Sequence, residues 1–450
     1  MQTIQDQKNR KADLSKSWMS YSFSDKALSL SASLFIILIA ETILGNSGAW
    51  LSFGPVRFRM IIFAFCLITA LPKAFEKYKY ILKNKFFVSC ALFGIWMIIE
   101  IFIGFYNGNN PSYIVSNVTG YLTLSLSPVV ILYVDTFRGS RYIKIFTDAL
   151  IYSSFILALI VTFIHFAMPF YNHIEIMEFS MMLNNLSFGG FANVSADIYR
   201  IFLRSEIFFQ IALVISISRE LAKERVSWFN TFVIAVLAFG LLISLTRSFW
   251  LGALVSLLFV LYFNRKEINK IARLAFFSLT IFSLLVISST VFYRGSSVIL
   301  AALNRFQSGL ETPANELPSS SNPDNASDSI RKEIIDALIY KINDSVFIGH
   351  GMGAEIDKHS VGGNTEYLYF DLTMKMGIVG LILFTFMFVF IFKRFIDNYL
   401  RNKYGKHTLS QGYISALVGV MVSSYFNPYL NNPIGLVFLL GTALVVYSET

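Results

Sequence analysis

Runs of about twenty predominantly apolar residues recur along most of this chain, and they constrain its fold more than any other feature. Such a run is as long as a helix that crosses the hydrocarbon core of a bilayer. Charged residues make up only 14% of the sequence and apolar residues 55%, a balance that is typical of a membrane protein. The sequence therefore predicts an all-α, polytopic integral membrane protein. We place about twelve transmembrane helices, at 27–45, 58–72, 86–106, 112–134, 145–169, 199–218, 229–245, 247–263, 272–293, 365–392, 409–426 and 433–448.

The positive charge alternates along the chain. Every second connection between the predicted helices is rich in Lys and Arg, as between Lys73 and Lys85 or between Arg219 and Arg225. The connections in between, such as 171–199 and the long loop before 365, are neutral or acidic. By the positive-inside rule, the basic connections and both termini are cytoplasmic. The net charge of +9 then reports topology and does not indicate a nucleic-acid partner.

This topology divides the chain into four parts. Residues 1–26 form a cytoplasmic N-terminal tail, and 27–293 form the first nine transmembrane helices. A large loop on the outer side, 294–364, separates the ninth helix from the tenth, and 365–448 form the last three helices. Within the loop, the apolar residues recur at helical spacing over 329–343, which predicts one amphipathic helix.

Arg331 lies in the middle of the apolar arc of that helix, together with Ile334, Ile335 and Leu338. A long cationic side chain on a docking face can extend to the edge of the contact and keep its charge in water. Alternatively, Arg331 points under the helix into a polar cavity at the membrane surface. Both interpretations remain open at this point.

Ionisable residues at membrane depth are costly and are therefore candidates for function. Arg200 and Arg204 are predicted one turn apart at the outer end of the sixth helix, and Arg247 begins the eighth. Arginines on one face predict a diphosphate site, because the planar guanidinium donates two hydrogen bonds to phosphate oxygens. Glu366 begins the tenth helix, where a carboxylate could act as a general base. The alternatives are interfacial anchoring for the arginines and, for Glu366, a favourable position at the N-terminus of its own helix.

Other charged and reactive residues have structural interpretations. Asp371 and Lys375 are four residues apart, so they are expected to neutralise each other on one helix. Cys66 and Cys90 lie inside predicted spans and are expected to be buried apolar residues. The sequence has no Asp-x-Asp pair, no His-x-x-His cluster and no Walker A loop. We therefore expect a reaction without metal or cofactor, on a diphosphate-activated, lipid-borne donor at the outer face.

At these residues the chain resembles the O-antigen ligase/O-antigen polymerase (Wzy) superfamily of bacterial inner-membrane glycosyltransferases. Arg247-Ser-Phe-Trp-Leu251 looks like the Arg-x3-Leu motif of that family at a helix entrance. Arg331 followed by Phe347-Ile-Gly-His-Gly-Met-Gly353 looks like its loop arginine and glycine turn. Glu366-Tyr-Leu, eleven residues before Gly377-Ile-Val-Gly380, looks like the ligase signature His-Asn-x9-Gly-x-x-Gly with Glu in place of His.

The resemblance implies a site and a reaction. Arg247 and Arg331, with Arg200 or Arg204, would hold the diphosphate of a growing glycan on undecaprenyl diphosphate. Glu366 would accept the proton of an acceptor hydroxyl on an incoming lipid-linked repeat unit, and His359 is the alternative source of a base. The site would face the periplasm from the bacterial inner membrane. A chain-length regulator and a flippase in the same membrane are the expected protein partners.

Two alternatives to a polymerase remain. A ligase would transfer finished glycan to lipid A core or to another acceptor, but ligases have His where this chain has Glu366. A lipid-linked oligosaccharide flippase, which is not an enzyme, would also have about twelve spans with buried charges. The long outer loop at 294–364 is not a feature that a flippase needs.

Overall fold

A computed structural model describes residues 22–46, 52–53, 56–137, 141–185, 189–195, 198–311, 323–356, 364–401 and 409–449. Most of these residues are helical. The first half contains α1 (Phe23–Leu44), β1 (Ser52–Phe53), β2 (Val56–Arg57), α2 (Phe58–Glu76), α3 (Tyr78–Lys83), α4 (Lys85–Tyr106), α5 (Pro111–Tyr121), α6 (Ser127–Phe137), α7 (Arg141–Ala167), α8 (His173–Asn185), β3 (Gly189–Ser195) and β4 (Ile198–Leu203). The second half contains α9 (Ile207–Leu221), α10 (Trp228–Ile243), α11 (Arg247–Phe263), α12 (Ile268–Phe292), α13 (Val298–Glu311), α14 (Pro323–Asp344), α15 (Leu368–Arg401), α16 (Leu409–Phe426) and α17 (Pro433–Ser448). Short 3₁₀ turns lie at Leu122–Leu126, Met168–Phe170 and Tyr429–Asn431.

Seven stretches in the described ranges are long and apolar enough to cross a membrane. They are Phe23–Leu44, Phe58–Glu76, Lys85–Tyr106, Pro111–Phe137, Arg141–Phe170, Ile268–Phe292 and Leu368–Arg401. Shorter apolar helices accompany them at Trp228–Ile243, Arg247–Phe263 and Pro433–Ser448. The architecture is that of a helical membrane protein, while the count of twelve spans stays a prediction.

The centre of the bundle is formed by helices that are apolar all round. Residues of α17 from Leu436 to Val446 are almost entirely buried, as are those of α9 from Ile207 to Ile215. A helix that is apolar on every side must be covered by lipid or by protein, and here protein covers both. Small residues allow the closest approach, since a Cβ on Gly419 of α16 would lie 2.4 Å from the carbonyl oxygen of Gly252 on α11. Such small-residue contacts are typical of helix association inside membranes.

Polar contacts join the connections at each end of the bundle. At one end, Lys77 pairs with Asp135 at 3.4 Å and Arg219 with Asp148 at 2.5 Å. At the other end, the Ser205 N–H donates to Asn46 Oδ1 at 3.0 Å, which joins the residues that follow α1 to the residues that precede α9. The basic connections and the predicted site residues therefore lie at opposite ends.

The sixth predicted span is wrong at its beginning. Residues 199–203 belong to β4, which pairs antiparallel with β3 in a register that places Ala192 opposite Arg200. The helix begins only at Ile207. Hydropathy does not separate a strand from a helix, and the β-branched and aromatic residues of Ile-Tyr-Arg-Ile-Phe-Leu favour a strand. Arg200 and Arg204 therefore do not share a helical face.

The described part of the long connection 294–364 contains more helix than the sequence pattern predicted. The amphipathic helix expected at 329–343 lies within α14, which begins at Pro323 and ends at Asp344. A second helix, α13, follows α12 directly and was not predicted. Its Val298, Ala301 and Ala302 are buried, so the face at i, i+3 and i+4 packs against the bundle.

Candidate functional site

The tenth predicted helix, α15, is broken at Gly377. This residue has φ +63° and ψ −175°, which interrupts the helical hydrogen bonds in the middle of an apolar element. Backbone groups released inside a membrane must find other partners. The carbonyl oxygens of Met374 and Lys375 accept the N–H groups of His350 and Gly351 at 2.9 and 3.0 Å, and the Ile378 N–H donates to Val346 O at 2.8 Å. The segment 346–353 thus supplies hydrogen-bond partners for the backbone groups that the break leaves unpaired within the helix. We call this segment the glycine loop.

The glycine loop needs glycine because the backbones touch. Gly351 has φ +83°, and a Cβ there would lie 2.2 Å from the backbone nitrogen of Gly104 on α4. On the other side, a Cβ on Gly377 would lie 2.0 Å from the carbonyl oxygen of Phe347. The loop is therefore held between α4 and the break in α15. The glycines that resemble a family motif have a structural role in this fold.

A buried polar network fixes the first turns of α15. Lys375 Nζ and Asp371 Oδ2 are 2.7 Å apart, with both side chains 4% exposed. Lys375 also donates to Asn364 Oδ1 at 3.2 Å, and Thr365 Oγ1 donates to Asp371 at 3.2 Å. Asn117 of α5 donates to the same Asn364 oxygen at 3.0 Å. The predicted pairing of Asp371 with Lys375 is present, and it anchors the residues that carry Glu366.

Arg331 and Glu366 form an ion pair across the loop. Arg331 Nε is 3.2 Å from Glu366 Oε2, and the two side chains are 34% and 51% exposed. The contact follows from the docking of α14, whose Ile334 and Leu338 pack on Tyr367 and on the buried residues around it. Arg331 extends from this apolar contact to the acid at the start of α15. The two residues that the sequence placed in different roles are thus direct partners.

Arg200 lies at a second corner of the same end of the bundle. Its Nε donates to the carbonyl oxygen of Ser244 at 3.2 Å, and its Nη2 donates to Thr246 Oγ1 at 3.0 Å. Thr246 is followed by Arg247, the first residue of α11, and the Arg247 side chain is partly buried. Strand β4 and the turn between α10 and α11 thus bring Arg200 beside the beginning of α11. We call this place the Arg200 corner.

Glu206 belongs to the Arg200 corner and was missed by the sequence analysis. It precedes α9 and is fully buried. The Arg200 guanidinium and the Leu203 backbone are its polar neighbours, and neither carboxylate oxygen makes a hydrogen bond within the described ranges. Because a charged residue inside a predicted apolar span is itself a signal, its position at 206 could have identified it.

Residues at the end of α16 connect the two places. Asn427 Nδ2 donates to Ser248 Oγ at 2.6 Å, beside Arg247. Two residues earlier, the ring of Tyr425 lies 6.0 Å from that of Tyr367, beside Glu366. The Arg200 corner and the Arg331–Glu366 pair therefore flank the same short segment, 425–427.

The remaining candidates are placed differently. Arg204 lies in the turn after β4, and its charged neighbours include Arg57 and Arg59. His359 lies outside the described residues. In those that are described, no three His, Cys, Asp or Glu side chains are grouped as ligands for a metal ion.

The arrangement has a clear chemical capacity. Guanidinium groups at Arg200, Arg247 and Arg331 can donate hydrogen bonds to the oxygens of a phosphate or diphosphate. Glu366 supplies a carboxylate within reach of water. Both lie at the end of the bundle that is opposite to the basic connections. The candidate site therefore places guanidinium groups and one carboxylate at the same end of a membrane protein.

Comparison with known proteins gives a family match over the part of the chain that contains most of these residues. A family model described as O-antigen ligase (Wzy_C) matches residues 232–385. The matched stretch contains Arg247, Arg331, the glycine loop and Glu366, and it ends just beyond the break in α15. No match was found among curated proteins. This match covers about a third of the chain and agrees with the resemblance to the O-antigen ligase/polymerase superfamily that the sequence motifs predicted.

Proposed function

We propose that this chain is a bacterial inner-membrane glycosyltransferase that polymerises undecaprenyl-diphosphate-linked repeat units at the periplasmic face. The product would be an O-antigen, a capsule or an exopolysaccharide. The observation that carries the proposal is the Arg331–Glu366 pair, 3.2 Å apart at the start of the broken helix. It combines a phosphate-binding group and a proton acceptor at the end of the bundle away from the basic connections.

The reaction would proceed by direct displacement. Glu366 accepts the proton of an acceptor hydroxyl, and that oxygen attacks the anomeric carbon of the growing glycan. The bond from this carbon to the diphosphate oxygen breaks, and undecaprenyl diphosphate leaves with the electron pair. Arg247 and Arg331, with Arg200, stabilise the charge that develops on the leaving group.

The ion pair itself suggests how the donor would prepare the base. An ion pair as exposed as Arg331–Glu366 contributes about 0.2–1 kcal/mol, so a competing anion can replace one partner. A diphosphate bound beside α14 would attract Arg331 and leave the Glu366 carboxylate available for the acceptor hydroxyl. Proton removal would then follow donor binding.

The location of the site follows from the charge pattern. We propose that the basic connections and both termini are cytoplasmic, with 294–364 in the periplasm. Reporter fusions test this orientation at positions in both sets of connections. Cytoplasmic signals are expected at Lys79, Arg141, Lys223, Lys266 and Lys403, and periplasmic signals at Asn109, Asn185 and Asn322. Two or more reversals would contradict the orientation.

A ligase is the second candidate, because the matching family model is described as O-antigen ligase. The glycan of a deletion strain separates the two enzymes. Loss of a polymerase leaves single repeat units on the final acceptor, while loss of a ligase leaves full chains on the lipid carrier. Complementation with the wild-type gene should restore long chains on the acceptor. Full chains left on the carrier would contradict the polymerase proposal.

The proposed reaction also defines the partners. Donor and acceptor are both undecaprenyl-diphosphate-linked glycans. A flippase must deliver them to the periplasmic face, and a chain-length regulator would act on the same membrane face. We propose no cofactor and no nucleic-acid partner.

A further inference from the structure

A cavity of about 380 Å³ lies among the basic connections, at the end of the bundle opposite to the candidate functional site. Ligand sites in proteins usually measure about 300–1,000 Å³. Lys83 and Lys85, at the junction of α3 and α4, line this cavity together with Lys393 and Arg394 of α15. The positive-inside rule accounts for basic residues at this end, but it does not gather them around one cavity. We call this place the basic cavity.

Arg394 is held in the wall of the basic cavity by an aromatic ring. Its guanidinium carbon lies 5.5 Å from the centre of the Tyr447 ring of α17. The Tyr447 hydroxyl donates to the carbonyl oxygen of Phe390 at 3.4 Å, which joins α17 to α15 beside the cavity. Arg394 Nε is buried and has no hydrogen-bond partner in the described part of the chain. The guanidinium is therefore positioned by a cation–π contact, and that contact does not neutralise its charge.

The basic cavity has more positive than negative charge. Two acids line it together with the four cations, Asp135 of α6 and Asp397 of α15. Asp135 already pairs with Lys77 at 3.4 Å. With Lys77 included, five cations stand against two acids. Among the residues that the structure describes, the four lining cations form no ion pair with an acid.

The parts of the chain that the structure does not describe do not supply the missing negative charge. Residues 138–140 follow α6 and residues 402–408 follow α15, and neither segment contains an acid. Residues 1–21 contain two acids but four basic residues, and residue 450 is a threonine. The excess of positive charge at this end is thus set by the sequence. An anion from outside the chain is the partner that fits it, because charged amino and guanidinium groups form their strongest hydrogen bonds with anionic oxygens.

The surroundings of the basic cavity indicate a lipid. Tyr78 and Leu82 of α3 are about half exposed, and so are Ile396 and Leu400 of α15. Aromatic and apolar side chains beside lysines are typical of the headgroup level of a bilayer. Acyl chains would cover these side chains, whereas a soluble anion would leave them exposed.

We propose that the basic cavity binds the phosphate group of an anionic phospholipid. Lys85, Lys393 and Arg394 would surround the phosphate, and the acyl chains would lie on the exposed apolar side chains of α3 and α15. Basic pockets between transmembrane helices bind lipid headgroups in this way. The bound lipid would join the α3–α4 junction to α15, at the end of that helix remote from Glu366. This inference does not depend on the proposed function, because the glycan transfer uses the opposite end of the bundle.

Native mass spectrometry of the purified full-length protein tests the site, with phosphatidylglycerol as the probe and zwitterionic phosphatidylethanolamine beside it. We expect the wild type to retain one phosphatidylglycerol more tightly than phosphatidylethanolamine. Lys85→Gln/Lys393→Gln should raise the Kd for phosphatidylglycerol roughly thirtyfold, since each basic residue contributes about fivefold in affinity for an anionic lipid. Both lysines are exposed, so their replacement should not disturb the fold. Lys85→Arg/Lys393→Arg should keep the lipid bound.

A matched control separates a built site from general attraction to a charged membrane. Lys266→Gln/Arg273→Gln removes the same charge from exposed residues at the same end, outside the basic cavity. This variant should bind phosphatidylglycerol as tightly as the wild type. An equal loss of affinity in both double variants would overturn the site. Equal retention of the two lipids by the wild type would also overturn it.

Inorganic phosphate has the same chemistry as the headgroup, and competition distinguishes the two sources. Excess inorganic phosphate should leave phosphatidylglycerol bound to the wild type. Displacement of the lipid by phosphate would show that the cavity is a site for a soluble anion, and the lipid assignment would be wrong.

Thermal unfolding gives a second readout, which does not require glycan synthesis. A ligand that binds only the folded protein raises its Tm. Phosphatidylglycerol added to delipidated protein should therefore raise the Tm of the wild type and of Lys266→Gln/Arg273→Gln, but not that of Lys85→Gln/Lys393→Gln. An equal rise in all three proteins would contradict a lipid site in the basic cavity.

Discussion

The substitution Glu366→Gln separates a catalytic carboxylate from a structural one. Glutamine keeps the size of the side chain and can still accept a hydrogen bond from Arg331. The side chains of this pair are 34% and 51% exposed, and ion pairs of that kind contribute about 0.2–1 kcal/mol. The position at the start of α15 adds at most about 1 kcal/mol through the helix dipole. We therefore expect the purified variant to lose no more than about 2 °C in Tm.

Activity should respond very differently. Glutamine cannot accept a proton at neutral pH, and removal of a general base costs roughly 10²–10⁴ in rate. In a deletion strain, the variant should be present in the membrane at the wild-type level and yield only single-repeat glycan. Glu333→Gln is the control, because Glu333 is an exposed acid on α14 near Arg331 and should leave long chains intact.

Long-chain glycan from a well-expressed Glu366→Gln variant would refute the assignment of the base. It would show that the carboxylate serves only the ion pair or the helix terminus. His359, which the sequence offers as an alternative base, would then be the next residue to substitute.

Three further perturbations test the site and its support. Asp371→Asn leaves the charge of Lys375 buried without its partner, so we expect the free energy of unfolding to fall by about 3–5 kcal/mol and the Tm to drop clearly. The double change Asp371→Leu/Lys375→Met removes both charges and should restore most of that stability. An unchanged Tm of Asp371→Asn would show that the pair is not needed. Gly351→Ala should destabilise the protein by about 1–2 kcal/mol because of the positive φ at this residue, and the clash of the new Cβ with the backbone of Gly104 should increase the loss. A normal Tm for this variant would contradict the close packing. Arg247→Lys and Arg331→Lys keep the charge but lose the two-pronged geometry, and we expect about a tenfold to hundredfold lower rate of glycan synthesis; full activity would indicate that the arginines act as anchors.

The sequence was most informative where the signal is local. Apolar runs and the alternation of basic connections need only neighbouring residues, so the membrane class and the opposite placement of charge and site were predictable. The helical spacing of Ile334 and Leu338 likewise predicted a docked amphipathic helix. Motif order and spacing around Arg247, Arg331 and Glu366 predicted a resemblance to the family whose model matches residues 232–385.

The sequence was least informative where distant segments decide the outcome. Residues 199–203 are apolar enough for a transmembrane helix, but their pairing with β3 makes them a strand. Glu206 is a charged residue inside a predicted span, but only the structure places Arg200 beside it. The glycine loop looked like part of a motif, and only the break at Gly377 shows that its N–H groups satisfy an interrupted helix.

The sequence alone therefore determined that the chain is a helical membrane protein and which ionisable residues gather at one end. Hydropathy and charge bias act residue by residue, because each side chain exchanges water for lipid largely on its own. The tertiary structure decided which polar groups meet, since the Arg331–Glu366 contact spans 35 residues and the contact of Ser205 with Asn46 spans 159. Such pairings depend on how the helices pack and where α15 breaks, and no local pattern in the sequence specifies either.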